Sequence, residues 1–322
     1  MALAEILMLG RAPAIVGEQL SRQFTVHRAG PGEIEALSPD LLQRIRGIAS
    51  GAHVPVNRAL IERMPGLEIV ANFGVGYDSV DAAFCGERGI CVTNTPDVLT
   101  EEVADTAFGL LLMTVRQLSA AERYLRAGRW EAEGPYPLTP ATLRGRTLGI
   151  LGLGRIGLAI ARRAEAFGLE VRYHGRTQRT DVDYPYHDTL EGLARACDTL
   201  MVVAPGGEAT RGIVDRRVLT ALGPEGIVVN VGRGTVIDEP ALVAALQDGT
   251  ILSAGLDVFE KEPKVPQALK DMEHVVLLPH VGSASRHTRD RMGQLVVDNL
   301  ASWFRDGRPL TPVAETPFVA KG

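Results

Sequence analysis

A chain of 322 residues is long for one average domain and comfortable for two, and 45% apolar with 23% charged residues is the balance of an ordinary globular protein. The formal charge of -5 argues against a nucleic-acid partner, whose polyanionic backbone selects basic surfaces. No stretch approaches about 18 uninterrupted apolar residues, so no membrane span is expected. Three cysteines, Cys85, Cys91 and Cys197, are an odd number with no metal-ligand spacing, and they fit a reducing cytoplasm better than a disulfide framework; no metal site is expected. The opening MALAEILMLGRAP has no basic leader before its short apolar run and reads as a buried first strand over 5–9, not as a signal peptide. Further strands are expected at 47–49, 69–72, 91–93, 147–151, 170–173, 199–203, 227–230, 253–256 and 275–278. Several are nearly all apolar, which suits parallel strands covered on both faces. Their alternation with helix-period segments predicts βαβ units in an open α/β sheet. Two longer helical patterns stand apart at 101–127 and 285–306, the second opened by Ser285 and closed at Gly307 ahead of Pro309. A self-contained nucleotide domain is placed over 98–285, inserted into a discontinuous domain of 1–97 and 286–322.

The segment around residue 150 is the most informative. An apolar strand ends in Gly152-Leu153-Gly154-Arg155-Ile156-Gly157 and opens directly into an Ala-rich helix. Gly152 suits a tight turn, Gly154 lets backbone approach a pyrophosphate, and Gly157 permits close helix–strand contact. The helix start adds amide donors and the positive end of the helix dipole. The next strand runs into Tyr173-His174-Gly175-Arg176-Thr177-Gln178-Arg179. A site for NAD normally places Asp or Glu here for the adenosine 2′-OH. Gly175 followed by Arg176, with Thr177 and Arg179 close by, favours a 2′-phosphate, so NADP(H) is expected over NAD(H). Asp181 and Asp183 nearby weigh against that preference.

Three later segments each close a strand: Asn230-Val231-Gly232-Arg233-Gly234, Asp257-Val258-Phe259-Glu260-Lys261-Glu262-Pro263 and Leu278-Pro279-His280-Val281-Gly282. Ligands of open α/β sheets sit at the carboxyl ends of the strands, so the three segments are candidates to converge. They supply what reduction of a 2-keto acid requires. The planar fork of Arg233 suits a carboxylate, His280 suits protonation of the developing alkoxide, and Glu262 suits orientation of that imidazole. Singly, each has an ordinary structural explanation; their ordered appearance behind a nucleotide turn is what points to chemistry.

GLGRIG, NVGRG, DVFEKEP and PHVGSAS, in this order and spacing, resemble the D-isomer-specific 2-hydroxyacid dehydrogenases over nearly the whole chain. The resemblance implies two Rossmann-like/flavodoxin-like domains with parallel sheets, the nucleotide domain set into the substrate domain, and hinges near Pro96 and Ser285. It implies Arg233, Glu262 and His280 as the catalytic set. Val231, Gly232, Asp257 and Gly282 would approach the nicotinamide, Arg155 and Ile156 the pyrophosphate, and Ala204 and Pro205 the adenosine side. Asn72-Phe73-Gly74-Val75-Gly76-Tyr77-Asp78 is similar to the family's substrate loop, with the Val75 and Gly76 amides on the substrate carboxylate and the 50–53 loop, including Ser50, facing them. Gly175-Arg176 resembles the NADPH-using glyoxylate/hydroxypyruvate reductases, with reductases of hydroxyphenylpyruvate or 2-ketogluconate as alternatives. A nucleotide-sensing corepressor-like binding protein is the alternative of a different class. A homodimer is implied, with the helical region 101–127 as its arm and Trp130 reaching the neighbouring subunit.

Overall fold

The computed structural model describes residues 3–51 and 54–318. The chain divides into two compact units, Met1–Leu99 with Ser285–Gly322, and Thr100–Ala284. Each is built on one sheet in which all strand pairs are parallel, the α/β class expected from the alternating pattern.

The first unit orders its strands β2-β1-β3-β4-β5, from β1 (Glu5–Leu9), β2 (Thr25–Ala29), β3 (Ile45–Ser50), β4 (Ile69–Asn72) and β5 (Cys91–Thr93). The chain goes out from β1 to β2 and returns on the other side at β3, the flavodoxin-like order. Strand β2 has no counterpart in the sequence expectations. It is an edge strand with Thr25 and Arg28 exposed, so nothing requires the apolar run by which buried strands are recognised. The helix Arg286–Asp306 starts where Ser285 caps the Thr288 amide at 3.2 Å and stops at Gly307, whose φ of 65° is the left-handed turn glycine permits. It packs on β3, β4 and the helix Ala14–Ser21. Leu7, Leu9, Ile45, Ile48, Ile61, Met64, Val70 and Val92 are buried in one cluster over this sheet.

The second unit orders its strands β11-β10-β9-β8-β6-β7, from β6 (Thr147–Leu151), β7 (Glu170–His174), β8 (Thr199–Val202), β9 (Ile227–Asn230), β10 (Ser253–Leu256) and β11 (Val276–Leu277). Every residue of β8, β9 and β10 is buried, as expected for central strands with helices on both faces. The single helix expected over 101–127 is two helices, Thr100–Val115 and Leu118–Arg126, broken at Gln117 with φ 49°. No Gly or Pro marks the break, and the helical period runs on through it, which is why the pattern alone reads as continuous. Among the described residues no helix is long and apolar enough to cross a membrane.

All three cysteines are buried, and burial pushes their thiols up, Cys85 and Cys197 to about 12 and Cys91 to about 11. In the unfolded chain the thiols ionise near their ordinary value of 9.0, whereas the folded ones stay protonated, so their contribution is complete below that pH and is lost as pH rises. Each thiol makes alkaline stability fall by about 1.4 kcal/mol per pH unit in that window. Cys197→Ala should therefore flatten the decline between pH 9 and 11 by about that slope, as read from urea unfolding against the parent.

Candidate active site and dinucleotide turn

In the second unit the strand order reverses between β6 and β8, so the turns that follow these strands diverge around one crevice. Gly152, after β6, has φ 99°, and a Cβ there would stand 3.0 Å from the Ala204 amide nitrogen. A Cβ on Gly157 would lie 2.3 Å from the Gly152 carbonyl oxygen, and one on Gly232 2.6 Å from the Ala204 oxygen. The turns after β6, β8 and β9 thus touch backbone to backbone, a contact only glycine permits. The helix Arg155–Ala166 begins at Gly154, which brings no side chain to cap it. This cradle of close backbone and an uncapped helix start fits a pyrophosphate.

After β7, Arg176 and Thr177 are exposed. Arg179 donates to the Leu153 carbonyl at 2.9 Å and forms a two-pronged pair with Asp181, whose carboxyl the guanidinium holds below its ordinary value. Arg179 thereby fastens the 175–179 loop to the glycine turn, and the Asp181 that weighed against the arginines is its partner. Tyr186 adds a hydroxyl on the Gly175 carbonyl at 3.1 Å. Arg176, by contrast, has no ion pair among the described residues. Pro205 follows the buried Ala204 and accepts a hydrogen bond from the Thr210 hydroxyl at 2.7 Å.

The turns after β9 and β10 and the loop after β11 form a continuous hydrogen-bonded set. Asn230, buried at the end of β9, accepts from the Gly232 amide and donates to the Arg233 carbonyl, both at 3.0 Å. Arg233 is extended, and its guanidinium reaches the Gly232 carbonyl at 2.9 Å. A Cβ on Gly234 would stand 1.9 Å from the Phe259 carbonyl carbon, so this glycine alone lets the two turns close. Asp257, 1% exposed, sends its amide to the Asn230 carbonyl at 3.0 Å. Its carboxylate accepts from the Val281 and Gly282 amides at 2.7 and 2.8 Å, and its carbonyl from the His280 amide at 2.9 Å. Burial pushes this carboxyl above its ordinary value despite the two amides that favour its charge.

Held on both sides, His280 adopts φ 53°, a left-handed backbone that costs a non-glycine residue on the order of 1 kcal/mol. The reward is direction: its Nδ1 lies 2.8 Å from Glu262 Oε2, while Oε1 of the same carboxylate accepts from the Phe259 amide at 3.0 Å. The Glu262 loop is braced again by Glu239, which takes the Glu260 amide at 3.2 Å; burial raises the Glu239 carboxyl. Glu262 thus orients the imidazole through Nδ1. Arg233, Glu262, His280 and Asp257 are therefore bound into one set of turns. Asn230 and Glu239, which brace that set, have no role in the sequence expectations.

A family model described as D-isomer specific 2-hydroxyacid dehydrogenase, NAD binding domain, matches residues 108–282. The chain belongs to this family. Among solved structures, this dehydrogenase is similar to the NADPH-dependent glyoxylate/hydroxypyruvate reductase of Sinorhizobium meliloti in complex with NADP and malonate, with 55% identity, 100% of both chains covered and a TM-score of 0.96. Among curated proteins it is 45% identical to glyoxylate/hydroxypyruvate reductase A of Arabidopsis thaliana, covering 96% of this chain and 98% of that one. It is 43% identical to the hydroxyphenylpyruvate reductase of Plectranthus scutellarioides, with the same coverage of 96% and 98%.

In the first unit of the dehydrogenase, the 74–76 turn follows β4 and Ser50 ends β3. Ser50 is 2% exposed and its hydroxyl donates to the Gly51 carbonyl at 3.2 Å. Its strand is flanked on both sides, by β1 and β4. Ala52 and His53 of the expected 50–53 loop lie outside the described residues. Trp130 is 59% exposed on the short helix Arg129–Glu133.

The glycine turn generates a direct test. Gly157→Ala must move the helix Arg155–Ala166 away from Gly152, so dinucleotide affinity should fall at least about tenfold, a loss of about 1.4 kcal/mol, by fluorescence titration. Unchanged affinity would remove the close-contact argument.

Proposed function

We propose that this dehydrogenase reduces small 2-keto acids, glyoxylate and hydroxypyruvate foremost, to D-2-hydroxy acids with NADPH. The observation that carries the reading is His280 aimed by Glu262 at 2.8 Å, on the same set of turns that holds Arg233. The backbone cradle at Gly152, Gly154 and Gly157 suits the dinucleotide, and Leu153, Arg155 and Ile156 complete the phosphate turn. Ala204, Pro205, Val231, Gly232, Asp257 and Gly282 line the crevice beyond it. Arg176, beside Gly175 and Thr177, meets the 2′-phosphate, whereas Arg179 acts as the anchor of that loop. When bound there, the reduced nicotinamide supplies the hydride received by C2 of the keto acid.

The chain's own groups do the rest. Arg233 and the Val75 and Gly76 amides hold the substrate carboxylate and orient its carbonyl. His280 Nε2 gives a proton to the carbonyl oxygen as charge develops there, and Glu262 keeps the ring in register while the proton leaves. A homodimer is part of the proposal, supported by Leu118, Leu125, Trp130 and Leu138, which are 47%, 55%, 59% and 99% exposed in the second unit. A cytoplasmic site of action is supported by three buried, unpaired cysteines.

Absorbance loss of NADPH and of NADH with glyoxylate, hydroxypyruvate, hydroxyphenylpyruvate and 2-ketogluconate tests the reading. The two small acids with NADPH should be fastest, and silence with all four would overturn it. His280→Ala should lower kcat by about 10²–10⁴. Arg176→Asp should weaken NADPH and improve NADH, each read as kcat/KM; a variant that keeps the NADPH preference would place the 2′-phosphate elsewhere.

A further inference from the structure

The turn 74–76 in the first unit is held by its carbonyl side. Asn72, 2% exposed at the end of β4, donates from Nδ2 to the Gly74 carbonyl at 3.2 Å and to the Gly76 carbonyl at 3.1 Å. Asn94, just past β5, donates from Nδ2 to the Val75 carbonyl at 2.8 Å. The Thr95 amide adds a second donor to the Gly74 carbonyl at 2.9 Å. Three successive carbonyls are thus tied to the body of the unit by neighbouring strand ends. Among the described residues no acceptor meets the Val75 or Gly76 amide.

A trans peptide is planar, with its C=O and N–H pointing opposite ways. Fixing the Gly74 carbonyl therefore fixes the Val75 N–H, and fixing the Val75 carbonyl fixes the Gly76 N–H. We propose that Asn72 and Asn94 are positioning residues that hold the Val75 and Gly76 amides outward as a preorganised pair of donors for a carboxylate. The inference rests on the keto-acid reading above and says what makes that loop bind: the asparagines never touch the ligand, but they hold the loop ready, so no ordering of the turn is needed when the anion arrives. Such a pair acts alike on the ground state and on the transition state, so its loss shows in KM rather than in kcat.

The test uses oxalate, a dicarboxylate that is not turned over, together with glyoxylate. Asn94→Ala should weaken oxalate binding by calorimetry, and raise the KM for glyoxylate, about tenfold, with kcat and the Kd for NADPH each within about twofold of the parent. Asn94→Asp keeps the size of the side chain but, once ionised, offers only acceptors, and it should lose as much as the alanine variant. Oxalate affinity and KM within twofold of the parent in the folded Asp variant would overturn the proposal. So would a loss confined to kcat, or a parent that does not bind oxalate. A parent that binds oxalate, loses it in both variants, yet reduces none of the keto acids would leave the positioning role standing and remove the proposed reaction.

Discussion

A buried parallel sheet ends all its strands on one side, and the turns that follow must satisfy their backbone groups without help from water. In this protein that requirement is met by short amide and carboxylate side chains at the strand ends. Asn72 closes β4, Asn94 follows β5, Asn230 closes β9 and Asp257 follows β10. Each reaches backbone groups of the turn or loop beside it. An unmet buried donor or acceptor costs about 1–3 kcal/mol, so these few residues decide what conformation each turn is allowed. The candidate site residues Arg233, Glu262 and His280 sit in those turns and inherit their geometry.

His280 illustrates the consequence. Its left-handed backbone is unfavourable alone, and it persists because Asp257 takes the two amides that follow it and the amide of His280 itself. The arrangement turns Nδ1 onto Glu262. Arg233 is set by the same logic through Asn230, and Gly234 lets its turn lie against Phe259. The glycines at 152, 157 and 232 serve a complementary purpose, since each removes a Cβ that would separate two turns. Where the second unit tightens its crevice with glycine backbone, the first steers a glycine turn with asparagine side chains; NFGVG and NVGRG are one pattern used in both.

Much of this was legible in the residues. Strands β1, β4, β5, β6, β9 and β10 coincide with the expected apolar runs, because buried strands must be apolar over their whole length. Edge strand β2 and the break at Gln117 were not legible, since an edge strand needs few apolar residues and a helix can bend without Gly or Pro. The nucleotide turn was visible because its glycines lie within six consecutive positions of a strand–turn–helix. The asparagine braces carried only the weak signal of Asn two residues before Gly in NFGVG and NVGRG.

The linear pattern of residues specifies the set of parts: two parallel α/β units, a phosphate turn, and an arginine, a glutamate and a histidine placed after strands. These follow from hydrophobic period and glycine spacing, which are local along the chain. Which arginine beside β7 is engaged by Asp181, which nitrogen of His280 faces Glu262, and which way the Val75 and Gly76 amides point were decided only in the tertiary structure. Each depends on a hydrogen bond whose partner stands on another turn or whose direction the folded backbone sets, and a linear pattern records neither.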